Sequence, residues 1–163
     1  MLQPSGPVQS SYTRYMTVAE VGMMAAMQGS DIIDTKMFEE NASPPAGVGF
    51  GLAVNQGSHD NGVRLGGSGG FVGITRKNPT IPASVFTDKF AGGDNVDVVA
   101  RGDIWVIAEA VVTAGEAVYY NPATGVLGHS GGTQIHDARW MTSTTGANGL
   151  AVVRLANSAG SDT

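Results

Sequence analysis

Two serines stand in the G-x-S-x-G spacing that holds the nucleophile of many lipases and esterases: Ser68 in GGSGG (residues 66–70) and Ser130 in GHSGG (residues 128–132). A contiguous Ser58-His59-Asp60 adds the three residue types of a hydrolytic triad. The chemistry would be acyl transfer, in which a base-activated hydroxyl attacks a carbonyl and backbone N–H groups hold the oxyanion. It depends on a sharp strand-to-helix turn that lifts the hydroxyl and aims a helix N-terminus at the oxyanion. Here Ser68 runs through Gly69 and Gly70 into FVGIT, and Ser130 runs through Gly131 and Gly132 into TQIHDARW, so strand-like sequence follows each. Chain order is a second test, because enzymes with this motif present serine, then acid, then histidine. Ser130 fails it, since His136 is the only later histidine and precedes the nearby acid Asp137. Ser68 passes on order alone, with Asp94, Asp97 or Asp103 ahead of His129, but glycine-rich chains generate this motif by chance. Adjacent Ser58, His59 and Asp60 side chains diverge and read as a polar turn. No catalytic residue is assigned.

Other chemistries find little support. The three histidines lack spacings such as HxH or HExxH, and Asp94 and Asp97 lack the alternating oxygen ligands of a calcium loop, so no metal site is expected. No cofactor is expected either. Arg101-Gly102-Asp103 matches an adhesion tripeptide but reads as the turn into a strand. The absence of cysteine excludes disulfides and thiol chemistry and suits assembly in a reducing cytoplasm. A formal charge of -5 with no Lys/Arg cluster argues against nucleic acid as a partner. No stretch approaches the ~18 apolar residues of a membrane span, and the first residues lack a secretion signal, so a soluble, non-exported chain without membrane contact is expected.

The elements that would position these residues are those of an all-β protein. Glycine, at 24 of 163 residues, is about twice its usual share, and charged residues, at 14%, are scarce, which favours turns over surface helices. Residues 1–16 show neither a strand nor a helix period and read as an extended N-terminal arm. In MTVAEVGMMAAMQG, Thr17 and Glu20 form a candidate capping box ahead of Val18, Val21, Met24 and Met27 at helical spacing. Gly22 weakens that pattern, so helix and strand both stay open for residues 18–28, and the methionines are expected to pack as core. After the loop NASPPAG, strands are expected at GFGLAV, VRL, FVGITR, VDVVA, DIWVIAEAVV, EAVYY, GVL, IHDARWMT and LAVVRLA. DIWVIAEAVV is apolar on both faces and should be central, with Trp105 and Trp140 both in the core. AVYYNPATGVLG reads as a hairpin around Pro122 and Gly125. The pattern predicts a compact β-barrel or β-sandwich of short antiparallel strands, with one β domain over residues 17–156 and a loose tail at 157–163.

Four stretches, GFGLAVNQG, GGFVGITRKNPT, DNVDVVARGDIWVIAEAVVTAGEAVYYNPATGVLG and ARWMTSTTGANGLAVVRL, occur in an order and spacing that resemble the structural cement, or decoration, proteins of tailed-bacteriophage capsids. The similarity covers residues 18–156 and is most specific over residues 101–119. It implies a non-enzymatic virion protein, made in the host bacterial cytoplasm, that binds the outer capsid surface and stabilises contacts between neighbouring major capsid proteins. The implied partners are the major capsid protein and further copies of the chain, as a dimer or trimer. Leu2, Val8, Tyr12 and Tyr15 would anchor the arm on the capsid or a neighbouring copy. The competing readings are a head-to-tail, tail or fibre-associated β module with a recognition role, and a serine hydrolase using Ser68 or Ser130.

Overall fold

NVDVVARGDIWVIA is rich in the β-branched residues that suit a pleated, half-buried surface, and it forms a single strand of 14 residues around which the fold is organised. The computed structural model describes residues 19–79, Phe86 and residues 88–156. Among them are nine strands and no helix: β1 (Ile32–Phe38), β2 (Ala53–Gln56), β3 (Gly62–Arg64), β4 (Phe71–Thr75), β5 (Asn95–Ala108), β6 (Ala117–Tyr120), β7 (Leu127–Gly128), β8 (Thr133–Trp140) and β9 (Gly149–Leu155).

Two closed circuits of pairing share β5. The first runs from β5 through β1, β3, β2 and β4 back to β5; the second runs through β9, β8, β6 and β7. Closure removes the exposed edges that would otherwise invite pairing with other chains. The all-β barrel expected from the sequence is therefore present, with two departures: β1–β3 and β5–β7 pair in parallel, and β5 is long.

Each circuit has its own core. Phe38, Val48, Val54, Val63, Phe90, Val96 and Val98 fill the first. Ile104, Val106, Ala108, Val118, Leu127, Ile135, Trp140, Ala151 and Val153 are among those filling the second, which Ala53, Ile74 and Val99 join from the first circuit's strands. On β5, Val96 and Val98 thus enter one core before Gly102, and Ile104, Val106 and Ala108 enter the other after it. Gly102 has φ 136°, and a Cβ there would sit 3.0 Å from both Asp31 Oδ1 and Met24 Cε. Glycine lets the strand bend where any side chain would be strained and crowded. The expected turn at Arg101-Gly102-Asp103 is therefore a bend inside one continuous strand. At its far end β5 stops at Ala108, before the expected end, and Val111 lies beyond it, half exposed.

Residues 19–25 are not helical: Gly22 has φ 84°, and the segment pairs with β5. Gly22 N–H donates to the Trp105 carbonyl at 2.7 Å, Trp105 N–H to Met23 at 2.9 Å, and Ala25 N–H to Asp103 at 2.8 Å. Between β4 and β7 that edge of β5 has no other strand, and its backbone groups need partners. This strap supplies them from Gly22 to Ala25, just after a turn closed by the Met23 N–H on the Glu20 carbonyl at 3.1 Å, so residues 19–25 are a turn and a single bridge rather than a helix; Thr17 and Val18 lie outside the described residues. Only Met24 of the methionine stripe packs on the core, while Met27 is 85% exposed. β1, in a charged stretch with no clean alternation, was not among the expected strands.

Trp140 is fully buried, and its Nε1 donates to the Gly128 carbonyl at 3.2 Å. Trp105 corrects the expectation of two core tryptophans. It lies between Ile104 and Val106, which point inward, so its own ring faces out and is only half buried.

Candidate functional site

Ser68 is exposed in the bend between β3 and β4, and Ser130 is exposed in the turn between β7 and β8. Strands β4 and β8 follow them, so neither has the helix a nucleophile elbow requires. The motif glycines do other work. At Gly132, φ 71°, a Cβ would lie 2.2 Å from the Tyr120 carbonyl oxygen, so glycine is what lets β8 begin against β6.

Ser58 and His59 do meet an acid, but it is Glu39 at the end of β1 rather than Asp60. The Glu39 carboxylate accepts the Ser58 N–H at 2.8 Å, the His59 N–H at 2.9 Å and the Ser58 hydroxyl at 2.9 Å, and His59 Nδ1 lies 2.8 Å from its Oε1. A working triad places the acid on one ring nitrogen and the hydroxyl on the other. Here both lie on the Nδ1 side, with Ser58 Oγ 3.4 Å from that nitrogen. The Ser58 N–H, followed by the His59 N–H and ring, holds Glu39 well below the ordinary carboxylate range, at about 2. The cluster clamps the β2–β3 turn onto β1 and has no activated nucleophile.

The acidic residues weighed as cation ligands are committed to the fold. Asp94 accepts the Ala91 N–H at 2.8 Å, and Asp97 accepts the Thr35 hydroxyl at 3.2 Å while facing Arg76 at 3.9 Å. Among the described residues no three His, Asp or Glu side chains gather around a metal position. Asp103 of the adhesion-like tripeptide is buried and receives a two-pronged interaction from Arg154, Nε and Nη2 each at 2.8 Å. That geometry leaves Asp103 turned into the protein rather than offered to a receptor.

What remains for recognition is apolar surface. On the outer face of the second circuit Trp105 lies opposite Val152, and Ile107 lies opposite Leu150. Met141 continues the first row, donating its N–H to the Val152 carbonyl at 2.8 Å, and is 38% exposed. Beside the second row is an open depression of about 490 Å³, walled by Ala19, Val21, Phe50, Ile107 and Leu150 and rimmed by Glu20, Lys77 and Asp88. Its signal in the sequence was the two-sided apolar pattern of DIWVIAEAVV, taken there as burial on both faces. The expected contact residues Leu2, Val8, Tyr12 and Tyr15 lie outside the described residues.

The fold is shared with a chain from the capsid of Myoviridae phage XM1, with TM-score 0.63 and 13% identity, covering 91% of this chain and 96% of that one. A weaker similarity, with TM-score 0.42 and 15% identity, is to the head fiber gp8.5 N base of bacteriophage phi29, covering 77% of this chain and 93% of that one. No curated protein gives a significant match. The family model described as structural cement protein (E217 gp24/Pam3 gp6) matches residues 8–156, almost the whole of the chain, with its β-circuits and all but the first seven residues of the segment ahead of them. The chain belongs to the structural cement protein family of phage virions.

Proposed function

We infer that this protein binds the outer surface of the assembled head, spans neighbouring major capsid proteins and strengthens their contacts without performing chemistry. The observation that carries this reading is the family match from residue 8 to residue 156. The net charge of -5 supports an outward position, away from packaged DNA. The committed roles of Glu39, Asp97 and Asp103 support a non-enzymatic protein. Repeated weak contacts suit such a role, because once one contact forms on a lattice the next is intramolecular, and multivalent attachment exceeds single-site affinity by about 10² to 10⁴.

On this reading residues 1–16 are an arm that becomes ordered on the capsid or a neighbouring copy, with Leu2, Val8, Tyr12 and Tyr15 as anchors, residues 17–156 are the β domain, and residues 157–163 are a loose tail. Copies associate as a dimer or trimer on the lattice after synthesis in the host cytoplasm.

Particles assembled with and without the protein provide the test. Those lacking it should release DNA at lower temperature and under milder osmotic shock, and electron cryomicroscopy should find the protein at many equivalent positions on the outer shell. Equal survival of both particle types sinks the stabilising role. A few copies confined to the neck or tail would favour a head-to-tail or fibre module instead.

A further inference from the structure

We propose that residues 8–16 of one copy dock in the groove walled by Phe50, Ile107 and Leu150 on a neighbouring copy. The proposal deepens the cement reading and rests on it for the lattice that brings copies together. It starts from where the described chain begins. The strap of residues 19–25 runs antiparallel to β5, and buried Ala19 is itself a wall of the groove. The sequence just ahead, Tyr12-Thr13-Arg14-Tyr15-Met16-Thr17-Val18, contains no Gly, Pro, Asn or Asp. Its aromatic and β-branched residues favour extended chain, and it has none of the residues that make a reversal easy. Seven residues span at most roughly 23 Å, long enough for Tyr12 to reach beyond the groove beside Ala19 to that of a neighbouring copy.

The groove matches that segment in chemistry. Ile107 is 37% exposed, and Leu150 and the Phe50 ring are half buried, so the site would bury apolar surface if Tyr12, Tyr15 or Met16 filled it. At the rim Glu20 pairs with Lys77, leaving Asp88 as the remaining charge. Arg14 is the one charged side chain among residues 1–18. The family match begins at residue 8, so this segment belongs to the same module as the groove. Because the root of the arm and the groove lie together, two copies about a two-fold axis would exchange arms reciprocally, as self-complementary interfaces do.

The chain has no cysteine, so introduced cysteines report one contact at a time. Full-length Tyr12→Cys chain is mixed with isotope-labelled Leu150→Cys chain and oxidised mildly, both free and on particles, with Arg139→Cys/Arg154→Cys as the control for a known cross-strand pair. Mass spectrometry of the unreduced digest should find residue 12 of the unlabelled chain joined to residue 150 of the labelled one. Arg14→Glu should lower the yield about threefold, in line with an exposed ion pair, and Asp88→Arg on the other chain should restore it. A link formed only within the double variant Tyr12→Cys/Leu150→Cys, at the mass of one chain, would place the arm on its own copy and overturn the proposal. No link in solution or on particles, with the control pair linking, overturns it too. Particles stabilised without the link would sink arm exchange and spare the cement function, whereas a link in solution with no effect on particles would do the reverse.

Discussion

In the second circuit, strands β6 to β9 close around the C-terminal half of β5 on an interior of aliphatic side chains with Trp140 among them. In the first, four strands of three to seven residues are joined by turns that carboxylates hold in place. Glu39 clamps the turn after β2. Glu40 accepts the N–H groups of Ala42, Ala46 and Gly47 at 2.9, 3.1 and 2.7 Å; its burial favours the neutral acid, but these bonds outweigh that and lower its pKa. Buried Thr75 adds a hydroxyl that donates to Gly49 at 2.7 Å and accepts from Leu52 at 3.1 Å. Backbone groups outside the ladders must be satisfied by side chains, and the connections of the first circuit rely on such clasps, whereas the 14-residue β5 and the 8-residue β8 satisfy most of their backbone groups by pairing.

The largest effects should therefore come from the second core. Trp140→Ala should lower the free energy of unfolding by about 3 to 5 kcal/mol, since it empties a fully buried site. Trp105→Ala, on the outer face, should cost about 1 kcal/mol. Urea titrations of both variants compare them directly, and equal losses would erase the inner and outer faces assigned to β5. Next comes the link between circuits, where buried Tyr120 donates its hydroxyl to Asn55 Oδ1 at 2.6 Å. Tyr120→Phe leaves that oxygen buried without this donor and should cost about 1 to 3 kcal/mol. A loss near zero would mean that this bond adds nothing to the shared strand, apolar contacts and backbone hydrogen bonds, such as Ala53 N–H to the Gly125 carbonyl at 2.9 Å, that join the circuits.

The same difference explains what was legible in the sequence. The second circuit could be read almost strand by strand, because Ile104, Val106 and Ala108 alternate cleanly and Pro122 and Gly125 mark the hairpin. β1 could not be read, because IIDTKMF carries Asp34, Thr35 and Lys36 on a strand that is exposed over much of its length. The strap was ambiguous because Val21 and Met24 fit a helical period, and what decides its conformation is an unfilled edge of β5, a tertiary fact. The Glu39 clamp was equally hidden. Its partners lie 19 and 20 residues away, and proximity in sequence drew Ser58 and His59 toward Asp60 instead. The outer apolar face was visible as composition, but alternation alone does not separate a covered face from one kept for a partner.

Acid should weaken the first circuit before the second. Glu39 titrates at about 2 in the folded protein, below its ordinary 4.5. A depressed carboxylate stabilises the fold fully above its unfolded value, and that contribution disappears as pH falls from there toward the folded value. Thermal unfolding followed from about pH 6 to about pH 2 should show a steeper decline for the native chain than for Glu39→Gln, which has no charge to lose. Parallel curves would place the acid sensitivity elsewhere and remove the clamp from the comparison.

The smallest effect is expected where the two circuits look most alike, at the pair of G-x-S-x-G turns. Ser68 opens into β4 and Ser130 into β8, both hydroxyls are exposed, and in neither place does a helix follow. If these serines are turn residues, Ser68→Ala and Ser130→Ala should each change stability by less than about 0.5 kcal/mol, as exposed positions away from caps and cores do. A fluorophosphonate probe should leave the native chain unlabelled, because an exposed hydroxyl without an aligned base and oxyanion donors is a poor nucleophile. The exception that would matter is stoichiometric labelling abolished by one of the two substitutions. It would single out one turn as a reactive site, break the symmetry between the circuits at this point, and return the hydrolase reading to consideration.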